Sequence, residues 1–229
     1  AVPAGQVLPL PENWSMAEGA TLPETFFTVQ LTLVDRAGLR PGQSVLVHGG
    51  AGGIGGTAIQ MARLHGAVPF AVVSTPEKAE YALSLGAQAA ILHRTEDFVE
   101  AIRALTNGRG ADVVVDVVGG ENTASNLRAV AEDGTIIQLS ALGGQSGPIK
   151  PALIARKRLT WFGSTLRPQS AAVKARIAAS LRRDVWPAIA DGRIRMPRIR
   201  SFALEDAAAA HRAFEASDHF GKIVLEIGP

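Results

Sequence analysis

The chain has 229 residues, enough for one large domain with a flanking part, and 47% of them are hydrophobic, ample for a buried core. Lys and Arg number 23 against 21 acidic residues, a balance that sets no strong field for nucleic acid or an anionic membrane surface. Cysteine is absent, which excludes disulfides, a thiol nucleophile and cysteine-ligated zinc, and neither a membrane-length apolar run nor a signal-peptide pattern is present, so a soluble, cytoplasmic protein is expected.

In chain order, Gln6–Leu10 reads as a short extended piece broken by Pro3, Pro9 and Pro11, and Ser15-Met16-Ala17-Glu18 as a capping box. A helix starts at Pro23-Glu24, with Phe27, Leu31 and Val34 on one face, and ends near Gly38. The apolar run Ser44–His48 then opens into Gly49-Gly50-Ala51-Gly52-Gly53-Ile54-Gly55-Gly56 and a helix with Ile54, Ala58, Met61 and Ala62 on one face. Gly50, Gly52 and Gly55 fit G-x-G-x-x-G: a tight turn, a close backbone approach and a helix–strand contact that together seat a dinucleotide pyrophosphate on a helix N-terminus. Strands follow at Val68–Val73, Ala89–Leu92, Val113–Val118, Gly134–Leu139 and Leu159–Gly163, alternating with helices that start at Thr75-Pro76 and Thr95–Asp97 or cover 121–131 and 151–156. The alternation predicts an α/β fold: a Rossmann doubly wound parallel sheet of six strands. After Arg167 the rhythm breaks into a helix over 169–186 ended around Pro187, a strand at Ile199–Phe202, a helix over Leu204–Ala216 and a last strand at Lys222–Ile227.

Position 74, at the end of the second strand, is where an NAD-binding unit keeps its ribose-binding carboxylate. Here it is Ser74, followed by Thr75 and Lys78. A hydroxyl pair beside an ammonium suits a 2′-phosphate and selects NADPH; the alternative is that Thr75 only caps its helix and Lys78 is a solvated charge. His93 and Arg94 end the third strand within reach of an adenosine, or are surface groups. Val118, Gly119 and Gly120 end the fourth strand and Leu139–Gly144 the fifth, so both tips face the nicotinamide half. Asp116 reads as a buried, hydrogen-bonded strand residue.

Taken together, Pro23-Glu24-Thr25, Thr28, Val47–Gly55, Lys78, Leu85-Gly86-Ala87, Asp116–Gly120 and Gly221–Leu225 resemble the quinone oxidoreductase (zeta-crystallin-like) branch of the zinc-independent medium-chain dehydrogenases/reductases. The resemblance implies three parts: 1–27 and 167–229 as remnants of a GroES-like β-rich catalytic domain, whose N-terminal part the chain lacks, and 28–166 as the dinucleotide-binding domain. It implies an NADPH-dependent reductase of quinones or electron-poor enones, dimeric and without metal. It places the pyrophosphate at Gly52–Gly55, within the cofactor-binding turn Gly50, Ala51, Gly52, Gly53, Ile54 and Gly55, the 2′-phosphate at Ser74 and Lys78, and the adenosine at His93. The nicotinamide side falls to Leu139, Ser140, Ala141, Leu142, Phe162, Gly163 and Ser164, with Thr28 and Lys222 nearby. The five histidines show no metal-ligand spacing.

Hydride transfer needs chiefly the cofactor and acceptor held in near-attack geometry, so catalysis by positioning is expected, with Thr28 and Arg167 as polar contacts to the acceptor oxygen. Enoyl-thioester reduction and non-catalytic NADPH binding are the alternatives. A short-chain dehydrogenase is excluded, because the single tyrosine, Tyr81, is followed four residues on by Leu85 rather than Lys. The apolar sixth strand, with Trp161 and Phe162, is expected to pair with its twin in a homodimer.

Overall fold

The computed structural model describes residues 1–12, 14–145, 148–216 and 219–228. Six strands, β1 (Ser44–His48), β2 (Val68–Val73), β3 (Ala89–Leu92), β4 (Ala111–Asp116), β5 (Val130–Gln138) and β6 (Thr160–Gly163), form one sheet in the order β3-β2-β1-β4-β5-β6. Every neighbouring pair is parallel. The strand order reverses between β1 and β4, and in such sheets the crevice at that point is where ligands sit.

Side chains alternate along each strand, so a parallel sheet covered on both faces needs apolar residues at consecutive positions. Val45, Val47, Ala71, Val73, Val113, Val115 and Ile137 enter one layer of the core, and Leu46, Phe70, Val72, Val114 and Ile136 the other. The first layer is closed by α2 (Leu22–Val29), α3 (Gly53–Leu64), α4 (Pro76–Ser84) and α8 (Ala171–Asp184) through Phe26, Met61, Tyr81, Ile177 and Leu181. The second is closed by α5 (Phe98–Leu105) and α6 (Asn122–Ala129) through Val99, Ile102 and Leu127. Each such side chain, fully buried, contributes about 1.5–3 kcal/mol.

Several boundaries differ from the sequence reading for identifiable reasons. The fourth strand stops at Asp116 rather than Val118, because the Asp116 carboxylate takes the N–H groups of Val118 and Gly119 and turns the chain. The helix from Pro23 is α-helical only to Val29 and continues as a wider π-helical segment, Gln30–Arg36. Pro187 does not end a helix: α8 stops at Asp184, and Pro187 lies in the first turn of α9 (Trp186–Ala190), where its missing N–H costs nothing. Gln6–Leu10 forms no strand, and Ala4–Gln6 is a 3₁₀ turn. The capping box is present at α1 (Met16–Ala20), with Ser15 and Glu18 each accepting the other's backbone N–H.

The two chain ends meet. The Trp186 indole donates to the Pro9 carbonyl at 2.8 Å and Arg182 to that of Val7 at 3.1 Å. The C-terminal part adds α10 (Ala207–Glu215) between β7 (Ile199–Ala203) and β8 (Lys222–Glu226), which pair in parallel as a separate two-stranded sheet. No helix among the described residues is long and apolar enough to cross a membrane.

Candidate functional site

At the carboxyl end of β1 the chain turns through Gly49, whose φ of 65° lies in the left-handed region that glycine adopts without strain. The sequence reading gave the tight turn to Gly50. In the structure Gly50 instead supplies close approach: a Cβ there would stand 2.7 Å from the Ala71 Cβ of β2. Gly55 is the tightest position, since its Cβ would lie 2.1 Å from the Gly49 carbonyl oxygen. Gly52 caps α3 in an extended conformation with no side-chain cap, so the first-turn N–H groups of that helix face outward without an intrahelical partner. With the helix dipole, these donors make an anion seat.

The C-terminal strand closes this seat. Gly221 N–H donates to the Ala51 carbonyl at 2.9 Å, and Gly52 and Gly221 form a parallel bridge. The next residue, Lys222, lies across the turn: a Cβ on Gly53 would meet its Cδ at 2.7 Å and its Nζ at 3.5 Å. The same ammonium stands 3.6 Å from a carboxylate oxygen of Glu24 in α2. A cation thus hangs over exposed helix N–H groups. Ala51 and Ile54 are held within this turn, Ala51 4% exposed and Ile54 packed at the edge of the core.

At the end of β2, Ser74 is half-buried and Thr75 caps α4, accepting the Lys78 N–H at 3.3 Å. Thr75 therefore performs the structural task named as its alternative, and a hydrogen bond donated by its hydroxyl holds the Glu77 carboxyl below the usual carboxylate range. His93 is anchored by its own N–H to the Val73 carbonyl at 3.1 Å. Partial desolvation, then the Arg94 guanidinium and, further down, the Lys78 ammonium hold its imidazole below the ordinary value. The charges of Arg94 and Lys78 thus both reach His93 and disfavour its protonated form.

The opposite half of the crevice is formed by the tips of β4, β5 and β6. Asp116 gathers the Val118 and Gly119 N–H groups at 2.7 and 2.9 Å and accepts from Asn126 at 2.9 Å, and Asn126 pairs with His48 Nε2 at 2.8 Å. Burial, partly offset by Asp116 and Asn126, holds the His48 imidazole below its usual value. The β4 and β5 tips are tied together: Leu139 N–H to the Asp116 carbonyl at 2.9 Å, Gly143 N–H to that of Val118 at 2.7 Å, and the Ser140 hydroxyl to that of Val117. Gly119 lets Ala141 approach, since a Cβ there would lie 2.9 Å from its Cα. Leu142 is 80% exposed at the rim.

At the tip of β6, Ser164 N–H donates to the Gln138 carbonyl at 3.3 Å, while its hydroxyl is buried with no hydrogen-bond partner among the described residues. Arg36, from the π-helical segment, donates to the Gly163 carbonyl at 2.7 Å and lies 4.0 Å above the Phe162 ring. Thr28 is half-buried, its carbonyl taking the Thr32 hydroxyl at 2.7 Å. Arg167 is exposed, and its carbonyl accepts from Lys174. No hydrogen bond joins the Thr28 and Arg167 side chains to each other or to the glycine turn among the described residues. His48, Asn126 and Arg36 were not singled out from the sequence. The position of His48 immediately before the glycine turn is the one signal that could have found it.

A dinucleotide fits these residues, because the turn leaves no room for side chains where a diphosphate would lie and offers donors there. Zinc does not: the chain has no cysteine, and among the described residues no three His, Asp or Glu side chains come together around a common point.

Comparison with known proteins bears on the family and the fold. The phthioceranic/hydroxyphthioceranic acid synthase of Mycobacterium tuberculosis (strain ATCC 25618 / H37Rv) is 32% identical over 219 residues, 95% of this chain and 10% of that protein. Highly reducing polyketide synthase ALT1 of Alternaria alternata is 33% identical over 227 residues, 96% of this chain and 8% of that one. The chain thus spans about a tenth of the length of these curated relatives. Among solved structures, an NAD-dependent alcohol dehydrogenase superposes with a TM-score of 0.88 at 33% identity, covering 99% of this chain and 63% of that chain. The CurK enoyl reductase gives 0.83 at 30%, covering 96% and 65%, and the Escherichia coli quinone oxidoreductase complexed with NADPH gives 0.84 at 26%, covering 97% and 68%. The sequence profile of the zinc-binding dehydrogenases matches residues 53–180, more than half of the chain, so the chain belongs to that family, the medium-chain dehydrogenases/reductases.

Proposed function

We propose that the chain binds NADPH across the β1/β4 crevice and reduces a carbon–carbon double bond conjugated to a carbonyl. The observation that carries the reading is the closed glycine turn, with Lys222 poised over outward-facing helix N–H groups. Lys222 exchanges Glu24 for the diphosphate, a charge-assisted contact in place of a partly exposed ion pair. Ser74, Lys78 and Arg94 hold the 2′-phosphate, and His93 lies against the adenosine. The buried Ser164 hydroxyl, without a hydrogen-bond partner among the described residues, is the donor we assign to the nicotinamide carboxamide.

NADPH held there would supply a hydride to the β-carbon of the acceptor, whose α-carbon would take its proton from water. Thr28 and Arg167 are the polar groups we assign to the acceptor oxygen, and the chain's own contribution is positioning. The flanking parts, 1–27 and 167–229, would act as one unit over the nucleotide domain, as the contacts of Pro9 with Trp186 and Gly221 with Ala51 favour.

Two acceptor classes follow. An enoyl thioester is favoured by the likeness of nearly the whole chain to polyketide synthases and to the CurK enoyl reductase. A quinone, reduced by one hydride and one proton from water, is favoured by the likeness to the E. coli quinone oxidoreductase. The test is NADPH consumption by the full chain with crotonyl thioester, simple enones and benzoquinone. Turnover of the thioester above the quinone supports the first reading and the reverse order the second. Tight NADPH binding without turnover of any acceptor would leave only the non-catalytic alternative.

A further inference from the structure

Beneath the crevice lies a chain of three buried polar side chains to which no role has been given. His48 ends β1 one residue before the glycine turn, Asp116 ends β4, and Asn126 stands in α6; they are 1%, 0% and 1% exposed. Asp116 only accepts: one oxygen takes the Val118 and Gly119 N–H groups, the other takes Asn126 Nδ2. With its NH₂ committed in this way, Asn126 can show His48 only its carbonyl oxygen, so His48 Nε2 is the donor at 2.8 Å. Every hydrogen bond in the chain thus has one direction, and all are satisfied together.

Its place in the sheet gives the chain of bonds a task. The β1–β4 ladder pairs Val45 with Val113, Leu46 with Val114 and Val47 with Val115, and runs no further. Beyond it the two chains stay close, with the Val117 side chain 3.0 Å from where a Cβ on Gly49 would stand, and His48–Asn126–Asp116 spans from one to the other by hydrogen bonds. On the β1 side the next residue begins the phosphate turn; on the β4 side the bonded N–H groups belong to the tip that faces the nicotinamide half. We propose that Asn126 is a positioning residue that fixes the spacing of these two segments, and so the register of the two halves of the dinucleotide. The inference rests on the cofactor reading given above.

The test compares NADPH with 2′,5′-ADP, which reaches only the adenosine end, on the full chain. Asn126→Leu is expected to weaken NADPH binding at least tenfold, about 1.4 kcal/mol, while 2′,5′-ADP changes by less than about twofold. Asp116→Asn is expected to be tolerated, with NADPH affinity within about threefold, because the new amide keeps its carbonyl oxygen on the Val118 and Gly119 N–H groups and presents its NH₂ to Asn126, which turns over and reverses the remaining bonds. Asn126 Nδ2 then donates to His48 Nε2, and the imidazole proton moves from Nε2 to Nδ1, a shift visible in the ring ¹⁵N resonances. A merely space-filling role predicts no such move, so this variant decides the matter even if Asn126→Leu does not fold. The proposal is overturned if Asn126→Leu binds NADPH like the parent chain, if it weakens both ligands equally, or if the His48 proton stays put in Asp116→Asn. Failure of the unaltered chain to bind NADPH or NADH would instead overturn the cofactor reading, and the ¹⁵N measurement would still report on the hydrogen bonds.

Discussion

The shape of the glycine turn is set chiefly by backbone atoms and absent side chains, with Lys222 laid across it, whereas the tips of β4, β5 and β6 add to their backbone hydrogen bonds side chains brought from far along the sequence. Gly55 meets Gly49, and Gly50 meets the next strand; by contrast His48 and Asn126 are 78 residues apart, and Arg36 and Gly163 are 127 apart. The first half is a shape that a short sequence encodes locally. The second is a spacing that exists only once the sheet and its covering helices have formed. The first should therefore fail through collisions and the second through lost hydrogen bonds.

The sharpest break of the first kind is Gly55→Val. Its Cβ would sit 2.1 Å from a backbone oxygen that cannot move without moving the turn, and overpacking of this sort costs about 1–3 kcal/mol or more. NADPH affinity should fall by at least about a hundredfold, read by fluorescence titration, with a lower melting temperature. Retained affinity would mean that the turn is not the diphosphate seat. Next in size is Lys78→Glu at the ribose end. Replacing attraction by repulsion at a 2′-phosphate should move the NADPH-to-NADH affinity ratio toward NADH by about tenfold or more, at about 1.4 kcal/mol per factor of ten. An unchanged ratio refutes the assignment of the 2′-phosphate to this position.

The same contrast accounts for what could be read from the chain alone. Alternating apolar runs and helix starts gave all six strands of the parallel sheet, because strands covered on both faces must be apolar at successive positions, as Val45, Leu46 and Val47 are. The glycine spacing gave the turn, though not that Gly49, rather than Gly50, takes the positive φ. Side-chain relays were not legible. Nothing in the spacing of His48, Asp116 and Asn126 brings them together, and Asp116 could be read as buried but not as the hub of the β4 tip. Nor does any local signal show that Arg36 would reach Gly163, because the π-helical segment that carries it reads as ordinary helix.

A smaller effect tests the second half through pH. Burial holds the folded-state pKa of His48 below 6.5, so the unfolded chain takes up a proton that the folded chain refuses. The unfolded state then binds more protons below that value, and stability present above pH 6.5 is lost as the pH falls below it. One such site costs on the order of 1 kcal/mol per pH unit until the folded form also protonates. His48→Gln should lower the melting temperature near neutral pH yet flatten its decline toward acid. His65, also held low by partial burial, will leave part of that slope in place. A variant with the parent's slope would place the acid sensitivity elsewhere than in the buried relay.

The smallest expected effect on the chemistry lies at the outer strand of this half. β6 is an edge of the sheet, bonded to β5 on one side, with Trp161 and Phe162 half-buried on it. An apolar edge strand invites pairing with another strand, and we propose that two copies of the chain pair here across a twofold. Trp161→Lys should then shift the full chain toward monomer in sedimentation while leaving NADPH affinity within about twofold, since Arg36 clasps the strand from its own protomer through Gly163 and Phe162. A dimer that survives the substitution places the contact elsewhere. A monomer that also loses NADPH would show that the clasp alone does not hold the β6 tip, and that the nicotinamide half of the site is completed only in the assembled pair.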